Sequence, residues 1–153
     1  MKLTLPPIIM ACLLLTACSA ATDKDNVPGD TSDKRPYDGI AADAVIHLTG
    51  NEPFWGGEIS SDKDAAPETL LYTTPDNPEG DRVTVKRFAG RGGLSFSGTL
   101  ASERLTLVIT PGQCSDTMSD RVYPFVVTLQ LGDEIRSGCA WTDNQPFTGP
   151  EAP

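Results

Sequence analysis

The stretch from Cys114 to Ala140, CSDTMSDRVYPFVVTLQLGDEIRSGCA, constrains the fold more than any other part of the chain. A polar segment, Ser115–Arg121, leads into the longest apolar strand signal in the sequence. That strand turns at Gly132-Asp133-Glu134 and returns to a second cysteine. The simplest reading is a hairpin closed by a disulfide, with the SDTMSDR loop held at one end. Joining Cys114 to Cys139 closes a loop of about 25 residues, worth roughly 3–4 kcal/mol in the chain-entropy description. Pro124 within the strand signal marks its first turn, a bulge or an edge position, because proline cannot donate to a ladder.

Whether those thiols pair depends on the compartment, and the N-terminus bears on that. Lys2 precedes an apolar run, Leu3–Leu15, whose polar interruption is Thr4. A run this short, ending in small residues, reads as a secretory signal, since a membrane span needs about 20 apolar residues. It ends in Leu15-Thr16-Ala17-Cys18, which resembles the lipobox of bacterial lipoproteins. The resemblance implies removal of residues 1–17, Cys12 among them, and lipidation of Cys18 with palmitate-type acyl chains. More than one acyl chain makes membrane anchoring stable. In the sorting rule of enteric-type bacteria, Asp after the cysteine retains a lipoprotein at the inner membrane. Ser19 here implies the outer membrane, with the domain in the periplasm.

That oxidising compartment favours a disulfide between the two remaining cysteines, Cys114 and Cys139. A metal site is the rival use of paired cysteines. It lacks partners, because His47 is the single histidine and no CxxC occurs, so no metal or cofactor is expected. The formal charge is −9, one unit more negative once Lys2 is removed. Such a balance argues against nucleic acid and anionic head groups as partners and suits a basic protein.

Residues 18–43 read as a disordered tether, dense in Asp, Lys, Pro and Gly with little to bury. As a flexible coil it spans about 25–30 Å on average, enough to lift a domain clear of the head groups. The domain is expected at 44–147, with a tail at 148–153. Within it, short strand signals follow one another: AVIHLT, EIS, TLLYTT, RVTVKRF, LSFSGTL, RLTLVIT, VYPFVVTLQL and EIRSGCA. Val83, Val85 and Arg87 alternate with Thr84, Lys86 and Phe88; Leu94, Phe96 and Gly98 share a face, as do Leu105, Leu107 and Ile109. GNEPFWGG, PDNPEGD, GRGG, SER and Pro111-Gly112 break the runs. No window shows a helical period, apart from one short helical turn expected near 115–120. The pattern predicts an all-β fold, a small antiparallel barrel of about eight strands, closed so that no edge is exposed.

Catalytic residues are not expected. His47 is flanked by Ile46 and Leu48 in an alternating strand, which reads as structural, and no base stands beside a nucleophile. No GxSxG, HExxH, Walker or GxGxxG pattern occurs. Acidic pairs such as Asp116 with Asp120 or Asp62 with Asp64 read as solvated. PDNPEGD fails the EF-hand register, since Pro78 and Gly80 fall where oxygen ligands are required.

Two loops carry the binding or corner candidates. In Gly50–Gly57, Glu52, Phe54 and Trp55 stand between glycines, and the Trp reads as a plug for a barrel end or as a surface anchor. In the second loop, Ser115 or Asp116 is placed to cap a helical turn. Met118 is expected to point inward and Arg121 to pair with Asp116 or Asp120, with Ser119 and Tyr123 completing the set. A disulfide at its base makes the loop rigid, which suits recognition and equally suits a structural corner.

NEPFW, CSDTMSDRVYPF and GCA together resemble an uncharacterised family of small bacterial envelope lipoproteins, over about Gly50–Ala140. The resemblance implies an envelope location and no firm activity. More loosely, the architecture is similar to membrane-bound inhibitors of c-type lysozyme, which are lipoproteins with a small antiparallel barrel and one disulfide. No match to their inhibitory loop motif occurs. The expected function is non-catalytic binding of a basic periplasmic or host protein, such as a lysozyme, or of a cell-wall ligand. A structural or stress-related envelope role without a dedicated ligand is the alternative.

Overall fold

The computed structural model describes residues 34–62 and 65–150. The strands are β1 (Ile46–Gly50), β2 (Trp55–Asp62), β3 (Ala65–Thr74), β4 (Asn77–Ala89), β5 (Leu94–Leu100), β6 (Glu103–Cys114), β7 (Tyr123–Leu131) and β8 (Glu134–Thr142). Each pairs antiparallel with the next, and β8 pairs back onto β1 from Ile46↔Thr142 to Gly50↔Gly138. The fold is a closed eight-stranded antiparallel barrel.

Alternation in the sequence becomes the pleat. In β7, Tyr123, Phe125, Val127 and Leu129 are buried, while Val126, Thr128 and Gln130 are exposed. In β4, Val83 and Val85 face the core and Phe88 faces solvent, 66% exposed. Leu70, Phe96, Leu105, Leu107, Ile109 and Phe125 fill the centre. Eight strands enclose a space just wide enough for side chains, so the interior is a packed core.

The two ends close differently. At the β1–β2 end, Trp55 is 4% exposed and stacks on Tyr72 with centroids 6.1 Å apart. Its indole N–H donates to the Ser137 carbonyl at 3.3 Å. Gly50 and Gly138, paired across β1 and β8, form the notch that receives the ring. A Cβ at Gly138 falls 2.5 Å from the Thr49 carbonyl and 2.9 Å from the indole. At the opposite end, Ile40 is buried in the core and Arg87 clasps the segment around it. The guanidinium donates to the carbonyls of Ile40 at 2.7 Å and Ala41 at 3.2 Å, and to Glu68 at 3.3 Å.

These contacts move the domain boundaries. Ile40 and Tyr37, whose N–H bonds to the Gly90 carbonyl at 2.6 Å, belong to the barrel rather than to a tether ending at 43. At the other terminus, Thr148 exchanges backbone hydrogen bonds with Val122, so the packed domain runs beyond 147. Residues 1–17, Cys18, most of the expected tether and the last three residues lie outside the described residues.

No helix forms among the described residues, and the turn expected near 115–120 is a series of bends. Thr117 has a φ of 59°, a left-handed conformation that a right-handed helical turn cannot include. Strand β6 also runs past Pro111-Gly112 to Cys114. The register shifts between Pro111 and Cys114, opposite Pro124, so both prolines sit at a bulge where the ladder is interrupted.

Candidate functional site

The β6–β7 connection starts at the barrel end opposite the β1–β2 loop, yet the two meet. Strand β1 has five residues and stops at Gly50, level with Gly138 in the body of β8. Asn51 is thereby left partway along the barrel wall. The disulfide Cys114–Cys139, with Cα atoms 5.6 Å apart, ties the other connection to β8 one residue from Gly138. Asn51 then completes the joint. Its side-chain amide donates to the Asp116 carbonyl at 2.7 Å and to the Thr117 hydroxyl at 2.6 Å.

Inside the SDTMSDR loop, Asp116 is the hub. Oδ1 accepts from the backbone N–H of Met118 at 3.1 Å and of Ser119 at 2.8 Å. Oδ2 accepts from the Ser119 hydroxyl at 2.8 Å and the Tyr123 hydroxyl at 3.0 Å. The capping chemistry expected of Asp116 is thus present, closing a turn instead of a helix. The Ser115 hydroxyl accepts from the Thr117 N–H at 3.1 Å. Burial pushes the Asp116 carboxyl up, but the bonds from Ser119, Met118 and Tyr123 outweigh it and hold the carboxyl below the usual carboxylate range. Burial pushes the Tyr123 phenol up, which keeps it protonated as a donor.

A group with a lowered folded pKa stabilises above its unfolded pKa, and loses that contribution as pH falls through the folded value. Asp116→Ala is expected to cost about 2 kcal/mol at neutral pH through lost charge-assisted hydrogen bonds. Urea denaturation across pH should show this gap narrowing below about pH 4, where the wild-type carboxylate takes up its proton. A gap independent of pH removes Asp116 as the hub.

The remaining candidates divide. Phe54 is 50% exposed and Met118 66% exposed, whereas Trp55 is a plug. Met118 points to solvent, contrary to the inward orientation expected of it, because the loop lies on the outside of the wall. Glu52 and Asp120 are exposed. Arg121 pairs with neither Asp116 nor Asp120 among the described salt bridges. Its Nε donates to the Pro150 carbonyl at 2.8 Å, and its guanidinium lies 4.5 Å from the centroid of Phe147. Tyr123, 2% exposed, packs with Trp141 and Phe147 at centroid separations of 5.4 and 5.5 Å. His47 stacks on Trp141 at 5.1 Å and approaches Asp143 at 3.3 Å and Glu58 at 3.6 Å. These residues form a small aromatic layer on the outer face of β8.

Asn51, Thr117, Trp141, Phe147 and Pro150 belong to this assembly without having been singled out by the sequence. Trp141 carried a signal: it alternates with Ala140 two positions after Cys139, which places it on the outer face. Among the described residues no group of His, Cys, Asp and Glu is arranged to hold a metal ion. No family model, curated protein or solved structure matches the chain.

Proposed function

We propose that this chain is an envelope lipoprotein, anchored at the outer membrane through Cys18, whose barrel presents a non-catalytic binding face. The joint at Asn51 carries the reading. Two loops from opposite barrel ends are fastened into one surface beside a disulfide, and that surface leaves Phe54 and Met118 in solvent. Aromatic and Met side chains are enriched in interface cores, and a preorganised loop avoids the entropy of ordering on contact. Glu52 and Asp120 on the same loops, with the net charge of −9, favour a basic partner and speed its encounter. A c-type lysozyme is the sharpest such partner, in keeping with the similarity to lysozyme inhibitors in architecture. Membership of the NEPFW/CSDxMSDRxYP lipoprotein family is part of the same proposal.

The alternative, a structural envelope role without a ligand, is favoured by the burial of Trp55 and Tyr123. A lysis assay separates the two. The full chain, disulfide intact, is expected to slow cell-wall lysis by a c-type lysozyme, and to bind the enzyme at low salt and release it at high salt. Unchanged lysis rates and no retention at low salt point to the structural role.

A further inference from the structure

The geometry points to a small-ligand site on the same loop: a pocket for a zwitterion, either a free α-amino acid or a dipeptide. An open pocket of 280 Å³ lies between Thr117–Arg121 and Pro150. Pockets for drug-sized molecules begin near 300 Å³, so this one suits a ligand of one or two residues. Its lining residues include one that carries a guanidinium, Arg121, and one that carries a carboxylate, Asp120. The described salt bridges do not join the two, so neither charge is spent on the other.

Arg121 is already oriented. The Pro150 carbonyl takes its Nε–H, and Phe147 lies under its plane. A guanidinium has five N–H donors in a fixed fork, so donors remain for a carboxylate. Asp120, the next residue, supplies the counterpart for an ammonium group, and Met118 supplies apolar surface for a small side chain. A phosphate dianion fits less well, because the Asp120 carboxylate repels it. The floor is fixed before any ligand arrives. Asn51 holds the Thr117 hydroxyl, Asp116 holds Ser119, and Cys114 ties the loop to β8. Preorganisation of this kind lowers the entropy lost on binding. The inference does not need the protein partner proposed above: Met118 and Asp120 are shared with that face, but the ligand's carboxylate depends on Arg121, which that face does not use.

The test is an NMR titration of the full chain, disulfide formed and held in detergent micelles, with alanyl-alanine of L,L and of D,D configuration. Amide signals of Thr117–Arg121 and Gly149 are expected to shift saturably on the millimolar scale. A dipeptide acetylated at its amine and amidated at its carboxyl should produce no such shift. Arg121→Gln should weaken binding at least tenfold. Because that change also removes a contact to the C-terminal segment, Asp120→Asn serves as the second variant. It should weaken the dipeptide about tenfold while leaving the melting temperature unchanged. Preference for D,D points to cell-wall stem peptides as the source, and preference for L,L to protein fragments. Absence of saturable shifts, equal shifts with the doubly capped dipeptide, or an unaffected Asp120→Asn variant overturns the site. Each of these results can occur whether or not a lysozyme binds.

Discussion

Trp55→Ala is expected to destabilise the barrel by about 3–5 kcal/mol and to lower its melting temperature by more than about 10 °C. The indole fills a notch that Gly50 and Gly138 leave open on two strands paired across the barrel's closure. Removing it empties the β1–β2 end, strips Tyr72 of its stacking partner and leaves the Ser137 carbonyl without its donor. The surrounding backbone cannot collapse into the space, because β1 and β8 are held by the ladder that closes the sheet. The neighbouring Phe54→Ala is the control. Phe54 is 50% exposed, and its loss should change stability by no more than about 0.5 kcal/mol. Thermal and urea melts of both variants check the pair, and equal effects from the two aromatics would refute the division of the NEPFW loop into plug and surface.

Removing the disulfide should have the next largest effect. Cys114 and Cys139 are 25 positions apart, and the chain-entropy relation gives about 3.5 kcal/mol for a loop of that length. The expected loss on replacing both cysteines with alanine is about 2–4 kcal/mol, read from the shift in the urea midpoint. The consequence is also local. Cys114 is where the β6–β7 connection is tied to β8, so the variant should loosen Ser115–Arg121 before the rest of the barrel. Hydrogen exchange at the Met118 and Ser119 amides should accelerate more than exchange within β7. Uniform acceleration throughout the barrel would show that the bridge does not define the loop.

The barrel itself was legible in the sequence because period-two alternation is a local signal. Leu105, Leu107 and Ile109, or Val83 and Val85 against Phe88, identify their inner faces without knowledge of any other strand. The cysteine pairing was legible from arithmetic, together with the expectation of an oxidising compartment. What was not legible depends on residues distant in sequence. The plugging role of Trp55 requires Gly50 and Gly138 to be opposite each other. Asn51 acquires a role only when the short β1 places it beside Thr117. Ile40 reads as one apolar residue in a polar stretch until Arg87 is known to clasp its carbonyl. The helical turn expected at 115–120 failed for a different reason. An Asp accepting two successive backbone N–H groups serves a tight turn as well as a helix start, and the left-handed φ of Thr117 decides between them.

The joined-loop face is tested most directly by titrating a c-type lysozyme against the wild-type chain and the Phe54→Ser/Met118→Ser double variant at low salt. Both substitutions are on exposed side chains, so the two proteins should melt alike. A binding face built on Phe54 and Met118 predicts at least a tenfold loss of affinity in the double variant, about 1.4 kcal/mol. Equal affinity in the two proteins, or no binding by the wild type, contradicts it.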